Sequence, residues 1–215
     1  MTTAIRTRTA SVNGVALEVL EAGPYDGPVA ILAHGFPESS WSWRHQLPAL
    51  AEAGWHAIAP DQRGYGRSSR PPEVTDYGSQ HLSADLVGLL DETGQDQAVF
   101  VGHDWGALIL WDLVRLHPAR VRAAVGVSVP FVEWPAPPTA VFRRIYGDRF
   151  FYILYFQTVG PAEKELEADP RETLRQVLWS GSGSASGPVD RPVRDFPAEG
   201  TGFLDADNKE ILKVA

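Results

Sequence analysis

The 215-residue sequence contains no cysteine, which excludes a disulfide framework and any metal site built on thiolates. Basic residues are fewer than acidic ones, 19 against 27, and the net charge is -8. Nucleic acid and anionic membrane surfaces both need a basic face, so neither is an expected partner. The longest apolar run, at residues 150–156, is far shorter than the roughly 18 residues of a bilayer-spanning helix. With no apolar signal core near the N-terminus, the composition predicts a soluble, cytoplasmic protein.

Apolar runs alternate with helical patterns along the first 129 residues. Largely apolar runs, typical of strands buried on both faces of a parallel sheet, occupy residues 29–33, 55–59, 98–101 and 121–129, and the first of them is continuous. Between them, Leu82, Leu86 and Leu89 recur at helical spacing and predict an amphipathic helix over residues 79–93. The turn signal Asn13-Gly14 predicts an early antiparallel hairpin. This alternation predicts an α/β fold, with a mostly parallel sheet and flanking helices.

The chain changes character after residue 129. Residues 130–140 hold four prolines and are predicted to form a linker, whereas residues 141–179 are predicted to be helical. A stretch rich in serine and glycine then begins, and we expect residues 180–202 to be flexible. The predicted organisation is a core over residues 1–129 followed by a helical lid or cap segment over residues 130–215.

The most informative stretch is Gly102-His103-Asp104-Trp105-Gly106, which follows a predicted strand and precedes a predicted helix. The spacing of small residues around a central nucleophile is typical of a nucleophile elbow, a sharp turn that exposes one side chain above the sheet. A carboxylate is already ionised at neutral pH and needs no base to attack an electrophile, so Asp104 is the candidate nucleophile. The alternative, that Asp104 only stabilises the start of a helix, leaves the two flanking glycines unexplained.

Four motifs in order give the chain a resemblance to a known family. They are His34-Gly35-Phe36-Pro37, the loop Asp61-Gln62-Arg63-Gly64-Tyr65-Gly66, the elbow at Asp104, and the aromatic segment at residues 151–157. Together they resemble the α/β-hydrolase epoxide hydrolases of the bacterial soluble type. The resemblance implies an α/β-hydrolase core with a helical lid. It also implies that a small apolar epoxide is opened to a vicinal diol through an alkyl ester on Asp104.

The resemblance also implies roles for other residues. The backbone N–H groups of Phe36 and Trp105 would form the oxyanion hole for hydrolysis of the ester. Tyr152 would be the lid acid that protonates the epoxide oxygen, because an alkoxide is a poor leaving group, and Tyr155 is a weaker alternative. The Phe36-Pro37 peptide bond is expected to be cis.

The remaining polar residues near these motifs are expected to be structural. We expect hydrogen-bonding roles for His34 and His103, and we expect Asp61 and Arg63 to brace their loop. Two aspartates outside the motifs, Asp85 and Asp112, are predicted to lie on helix surfaces. No metal ion or organic cofactor is expected, because the sequence has neither clustered ligands nor a dinucleotide-binding glycine motif.

The triad of the resembling family places an acid and a histidine on loops beyond the lid. In this sequence no histidine follows His117. The prediction is therefore a chain truncated before these residues, with doubtful turnover. Three explanations stay open at this point: a fragment of a longer enzyme, a truncated gene product, or a chain completed by a second chain. A homo-oligomer or second chain would also cover the open edge of the strand at residues 121–129.

Two other functions remain as alternatives. Haloalkane dehalogenases share the aspartate nucleophile and the tryptophan that follows it. Their oxyanion loop, however, resembles His-Gly-Asn-Pro, with asparagine where this chain has Phe36. Tyr152 also answers a need for acid catalysis that a halide leaving group does not have. The second alternative is a non-catalytic remnant that binds small apolar ligands in an aromatic pocket.

Overall fold

The computed structural model describes residues 4–180. The chain divides into two compact units, Met1–Val132 and Glu133–Ala215. Apart from Ser180, the segment 180–202 that we expected to be flexible lies outside the described residues. The units are described separately below.

The first unit is built on a six-stranded sheet. Its strands are β1 (Arg6–Val12), β2 (Val15–Ala22), β3 (Val29–Ala33), β4 (His56–Pro60), β5 (Ala98–His103) and β6 (Val121–Val127). Their order across the sheet is β1-β2-β4-β3-β5-β6. Strands β3 to β6 pair in parallel, whereas β2 pairs antiparallel with both β1 and β4. The prediction of a mostly parallel sheet entered by a hairpin is confirmed.

Helices cover both faces of this sheet. They are α1 (Gln46–Glu52), α2 (Ser79–Glu92) and α3 (Trp105–Leu116), with short 3-10 turns at Ser40–Trp43, Val74–Tyr77 and Pro118–Arg120. Successive residues of a strand point to opposite faces, and Ile31 and Leu32 of β3 accordingly belong to separate apolar clusters. The cluster at Ile31 includes Leu86 of α2 and Leu110 of α3, and the cluster at Leu32 includes Leu47 of α1. The helix expected at residues 79–93 is therefore present as α2.

Strand β6 forms one edge of the sheet among the described residues. It ends at Val127, two residues before the predicted end. Two side chains that share one face of β6 are unusually exposed for this sheet: Val125 is 47% exposed and Val127 is 40% exposed. Within residues 4–180 the outer side of β6 has no partner strand, as expected from the sequence.

The second unit consists of short helices in its described part. They are α4 (Pro138–Tyr146), α5 (Tyr152–Tyr155), α6 (Pro161–Leu166) and α7 (Pro170–Ser180). The linker predicted at residues 130–140 is thus shorter than expected, because Pro138 begins α4, a position where the missing N–H of proline is tolerated. Aromatic rings pack between α4 and α5, and Tyr146 stacks on Phe151 with ring centroids 4.0 Å apart.

No helix in residues 4–180 is both long enough and apolar enough to cross a membrane.

Candidate active site

Asp104 lies on the turn between β5 and α3. Its backbone has φ 52° and ψ -118°, a conformation that residues other than glycine rarely adopt. Such conformations cluster at functional sites. The neighbouring glycines are required by close backbone approach: a Cβ on Gly102 would lie 2.3 Å from the carbonyl oxygen of Gly106. A Cβ on Gly106 would lie 2.2 Å from the carbonyl oxygen of Ala33. Asp104 makes no side-chain capping hydrogen bond to α3, so its carboxylate is directed to another partner.

That partner is the loop that follows β3. The backbone N–H of Phe36 donates a hydrogen bond of 2.9 Å to Oδ1 of Asp104. A Cβ on Gly35 would lie 2.5 Å from the same oxygen, so only glycine allows this approach. The Phe36-Pro37 peptide bond is cis, as expected. The loop and the elbow therefore meet at the Asp104 carboxylate.

Trp105 is the first residue of α3 and is 39% exposed. The first N–H groups of a helix have no acceptor within the helix, so the Trp105 N–H is available on the same turn as the Asp104 carboxylate. The two expected oxyanion-hole donors thus come from different parts of the chain: Phe36, on the loop after β3, donates to the Asp104 carboxylate, and Trp105 begins the helix that follows Asp104.

Glu38 joins the same loop to the elbow. Its Oε2 accepts hydrogen bonds from the backbone N–H of Gly35, at 3.0 Å, and from Nδ1 of His103, at 2.9 Å. The structural hydrogen bond expected of His103 is therefore present. Sequence analysis did not single out Glu38, although it lies one residue beyond the His34-Gly35-Phe36-Pro37 motif.

His34 hydrogen-bonds the loop after β3 to the loop after β4. It is fully buried, its Nδ1 donates to the carbonyl of Gly35 at 2.9 Å, and its Nε2 accepts from the backbone N–H of Gln62 at 3.1 Å. Burial lowers the pKa of His34, which favours the neutral ring that this pattern requires. The structural role expected of His34 is confirmed.

Tyr65 is a further residue beside this site that sequence reasoning missed. Its ring packs edge-on against His34, with ring centroids 4.8 Å apart. Burial raises the pKa of Tyr65 to about 12, with further contributions from the carboxylates of Asp104 and Glu38. The phenol therefore stays protonated and neutral near the Asp104 carboxylate. The position of Tyr65 within the Asp61–Gly66 motif was the sequence signal that could have identified it.

The loop after β4 is braced as expected. Oδ1 of Asp61 accepts from the backbone N–H of Ser40 at 2.8 Å, and Arg63 binds Asp85 through two hydrogen bonds of 2.6 and 2.7 Å. The bond to Asp85 raises the pKa of Arg63. The predicted surface position of Asp85 is wrong: Asp85 is 3% exposed, because its helix face turns inward toward Arg63. Asp112 does lie at the surface, where its side chain is 37% exposed.

The expected lid acid, Tyr152, lies in the second unit. It is the first residue of α5 and is half-buried, with its ring edge-on to those of Phe151 and Phe156 at 5.3 and 5.8 Å. The hydroxyl of Tyr155 donates a 3.0 Å hydrogen bond to Glu165. Among the described residues there is no group of three or more His, Asp or Glu side chains that could hold a metal ion.

Comparison with known proteins places this chain in a family. Residues 28–148 match the family model of the α/β hydrolase fold. Epoxide hydrolase A of Mycobacterium tuberculosis is 50% identical over 199 residues, which is 92% of this chain and 61% of that protein. An epoxide hydrolase of Caballeronia sordidicola is 41% identical over 84% of this chain and 56% of that protein. The crystal structure of epoxide hydrolase A from Mycobacterium thermoresistibile matches with a TM-score of 0.80 and 43% identity, over 98% of this chain and 69% of that one.

The chain belongs to the α/β-hydrolase fold family. Within this family it is epoxide hydrolase-like in both sequence and fold, as the resemblance implied. It spans about 61% of the length of the Mycobacterium tuberculosis relative.

Proposed function

We propose that this chain opens small apolar epoxides through a covalent ester on Asp104, as the first half of hydrolysis to a vicinal diol. The observation that carries the proposal is the Asp104 carboxylate, half-buried on a positive-φ turn at the carboxyl end of β5 and bound at Oδ1 by the Phe36 N–H. Because Oδ1 is engaged, Oδ2 is the attacking oxygen. Oδ2 forms a bond to an epoxide carbon, the bond from that carbon to the ring oxygen breaks, and the ring oxygen leaves as an alkoxide.

Tyr152 is the proposed acid for the alkoxide. A phenol with an ordinary pKa of about 10 can transfer its proton to an alkoxide as the ring opens. The proposal rests on the resemblance of the aromatic segment at residues 151–157 to the lid of the family and on the need of an alkoxide leaving group for a proton. Replacing Tyr152 with phenylalanine should slow ring opening by roughly 10²-fold or more, the range typical of a lost general acid.

The second half-reaction is the hydrolysis of the ester. Attack on the ester carbonyl places negative charge on Oδ1, and we propose that the N–H groups of Phe36 and Trp105 stabilise it. This step also needs a base to activate water, and the sequence has no histidine after His117. The described residues therefore support the ring-opening step more strongly than complete turnover.

The test is intact-protein mass spectrometry after incubation with styrene oxide. We expect the mass of the chain to rise by one molecule of styrene oxide, and we expect no increase for Asp104→Asn, which keeps the shape of the side chain but removes the nucleophile. Steady diol formation without an adduct would show that the chain contains a base that completes the reaction. Neither adduct nor diol would show that the chain does not carry out the proposed chemistry.

A further inference from the structure

Glu38 makes two hydrogen bonds to Gly35, the residue that precedes Phe36. The backbone N–H of Glu38 donates to the carbonyl of Gly35 at 3.1 Å, while its side-chain Oε2 accepts from the N–H of Gly35 at 3.0 Å. Glu38 therefore contacts both peptide groups of Gly35, whose carbonyl also accepts from Nδ1 of His34. Phe36 follows Gly35 directly, so its N–H direction is set by the same turn.

The second contact of Glu38 reaches across to the elbow. Oε2 also accepts from Nδ1 of His103, at 2.9 Å, and His103 immediately precedes Asp104. The side chains of Glu38 and His103 are 23% and 33% exposed, so the contact is partly shielded from water. Hydrogen bonds to a charged acceptor are shorter and stronger than those between neutral groups. The carboxylate thus ties the donor loop to the residue next to the nucleophile.

We propose that Glu38 is a positioning residue, which, through Gly35 and His103, holds the Phe36 N–H on Oδ1 of Asp104. Its catalytic consequence rests on the proposed function, but the positioning itself is a property of the loop. Glu38 does not touch the reacting atoms. Its effect is on the placement of a donor that stabilises charge in the ester-cleavage step.

Whether replacing Glu38 speeds or slows ester cleavage distinguishes a positioning role from a purely electrostatic one. Glu38 is an anion close to a site where negative charge develops on Oδ1. If its charge were its only influence, removing it would favour that step, because like charges repel. If it positions Phe36, removing it displaces a preorganised donor and slows the step. If charge alone acts, Glu38→Ala and Glu38→Gln should both speed ester cleavage. If Glu38 positions Phe36, Glu38→Ala should slow it.

The first measurement is amide hydrogen exchange and the amide proton shift of Phe36 by NMR. We expect Glu38→Ala to reduce the protection of the Phe36 amide about tenfold or more and to move its proton resonance upfield, as the bond to Asp104 weakens. Glu38→Gln keeps an acceptor for Gly35 and should restore most of the protection. The matched control is Glu52→Ala, an exposed glutamate at the end of α1, which should leave Phe36 unchanged. Unchanged protection in Glu38→Ala would overturn the proposal.

The second measurement uses the styrene oxide adduct and hydroxylamine. Hydroxylamine attacks the ester carbonyl, passes through the same charge on Oδ1, and leaves a hydroxamate on Asp104 while the alkyl group departs as the diol. This reaction needs no histidine base from the chain. We expect Glu38→Ala to slow adduct cleavage about tenfold more than adduct formation, with partial rescue in Glu38→Gln.

The outcomes are distinguishable. A uniform loss in both steps together with a lower melting temperature would mean a purely structural role, and faster cleavage in Glu38→Ala would mean that charge dominates. Either result overturns the positioning role. If the unsubstituted chain forms no adduct, the proposed function fails, whereas the exchange measurement still decides whether Glu38 positions Phe36.

Discussion

The backbone N–H of Phe36 donates a 2.9 Å hydrogen bond to Oδ1 of Asp104, across 68 positions of sequence. The contact follows from the sheet, because β3 and β5 are parallel neighbours and Ala33 pairs with Gly102 at their carboxyl ends. The loop after one strand and the turn after the other therefore meet at one edge. As a result the two oxygens of Asp104 differ: Oδ1 is held by a backbone donor, and Oδ2 is the oxygen that we propose attacks the epoxide.

Replacing Gly35 with alanine tests how closely this contact is adjusted. The added Cβ would lie 2.5 Å from both Cβ and Oδ1 of Asp104, so the carboxylate or the loop must move. Displacing a reacting group by about 1 Å costs on the order of 10²-fold in rate. We expect the rate of styrene oxide adduct formation, followed by intact mass, to fall by about that factor.

The control for this substitution is Gly78→Ala. A Cβ at Gly78 would approach only the carbonyl oxygen of Thr75, at 3.5 Å, which is an ordinary contact. Adduct formation in Gly78→Ala should equal that of the unsubstituted chain. An unchanged rate in Gly35→Ala would mean that the nucleophile tolerates displacement and that the Phe36 contact is not needed for ring opening.

Two aspartates on helices give a matched test of burial. In Asp85→Asn the Arg63 guanidinium stays buried, at 4% exposure, without its anionic partner. Breaking a buried pair by removing one charge costs about 3–5 kcal/mol. We expect the free energy of unfolding in urea to fall by about 3 kcal/mol.

Asp112→Asn is the companion variant. Asp112 pairs with Arg115 at the surface, at 3.2 Å, where such pairs contribute under about 1 kcal/mol. We expect its unfolding free energy to change by no more than about 0.5 kcal/mol. Equal effects of the two substitutions would contradict the burial of the Arg63–Asp85 pair.

The same two aspartates show how far the sequence alone could lead. The elbow around Asp104 was predictable because its signal is local: two glycines at fixed spacing between a strand and a helix. Asp85 was not placed correctly because its partner lies 22 positions away on a loop. A signal did exist, since Asp85 lies three positions after Leu82 and four before Leu89, on the apolar face of α2. Glu38 was missed for a similar reason, because it lies on the loop after β3 and its contact is to His103 at the end of β5.

Lowering the pH should expose the contribution of a second buried carboxylate, Glu21. It is 1% exposed and contacts Arg8 at 2.9 Å and His56 at 3.3 Å. Burial alone would raise its pKa, but hydrogen bonds from His56 and Arg8 outweigh burial and lower the pKa to about 2. Because the pKa in the folded chain is below the ordinary value of 4.5, the carboxylate stabilises the fold above that value, and this stability is lost as the pH falls toward 2.

The measurement is urea unfolding of the unsubstituted chain and Glu21→Gln between pH 6 and pH 3. We expect Glu21→Gln to be less stable by up to about 3 kcal/mol at pH 6, with the difference shrinking as the pH falls. The exposed Glu52→Gln should show no such trend. A difference that is constant with pH would mean that the charge of Glu21 does not contribute to stability.

Tyr65 offers a spectroscopic report on the charge of Asp104. Burial first, and then the carboxylates of Asp104 and Glu38, raise its pKa to about 12. As the folded-state pKa exceeds the ordinary value of 10.0, the tyrosine favours the folded chain below pH 10, and this contribution is lost as the pH rises toward 12.

The Cζ resonance of 13C-labelled tyrosine, assigned by its loss in Tyr65→Phe, should titrate at higher pH than those of exposed tyrosines. In Asp104→Asn the pKa should move back toward 10, because a negative charge near the phenol is gone. A titration unaffected by Asp104→Asn would show that the charge of Asp104 does not reach Tyr65, whereas a downward shift would place the neutral phenol beside the Asp104 carboxylate, the proposed nucleophile.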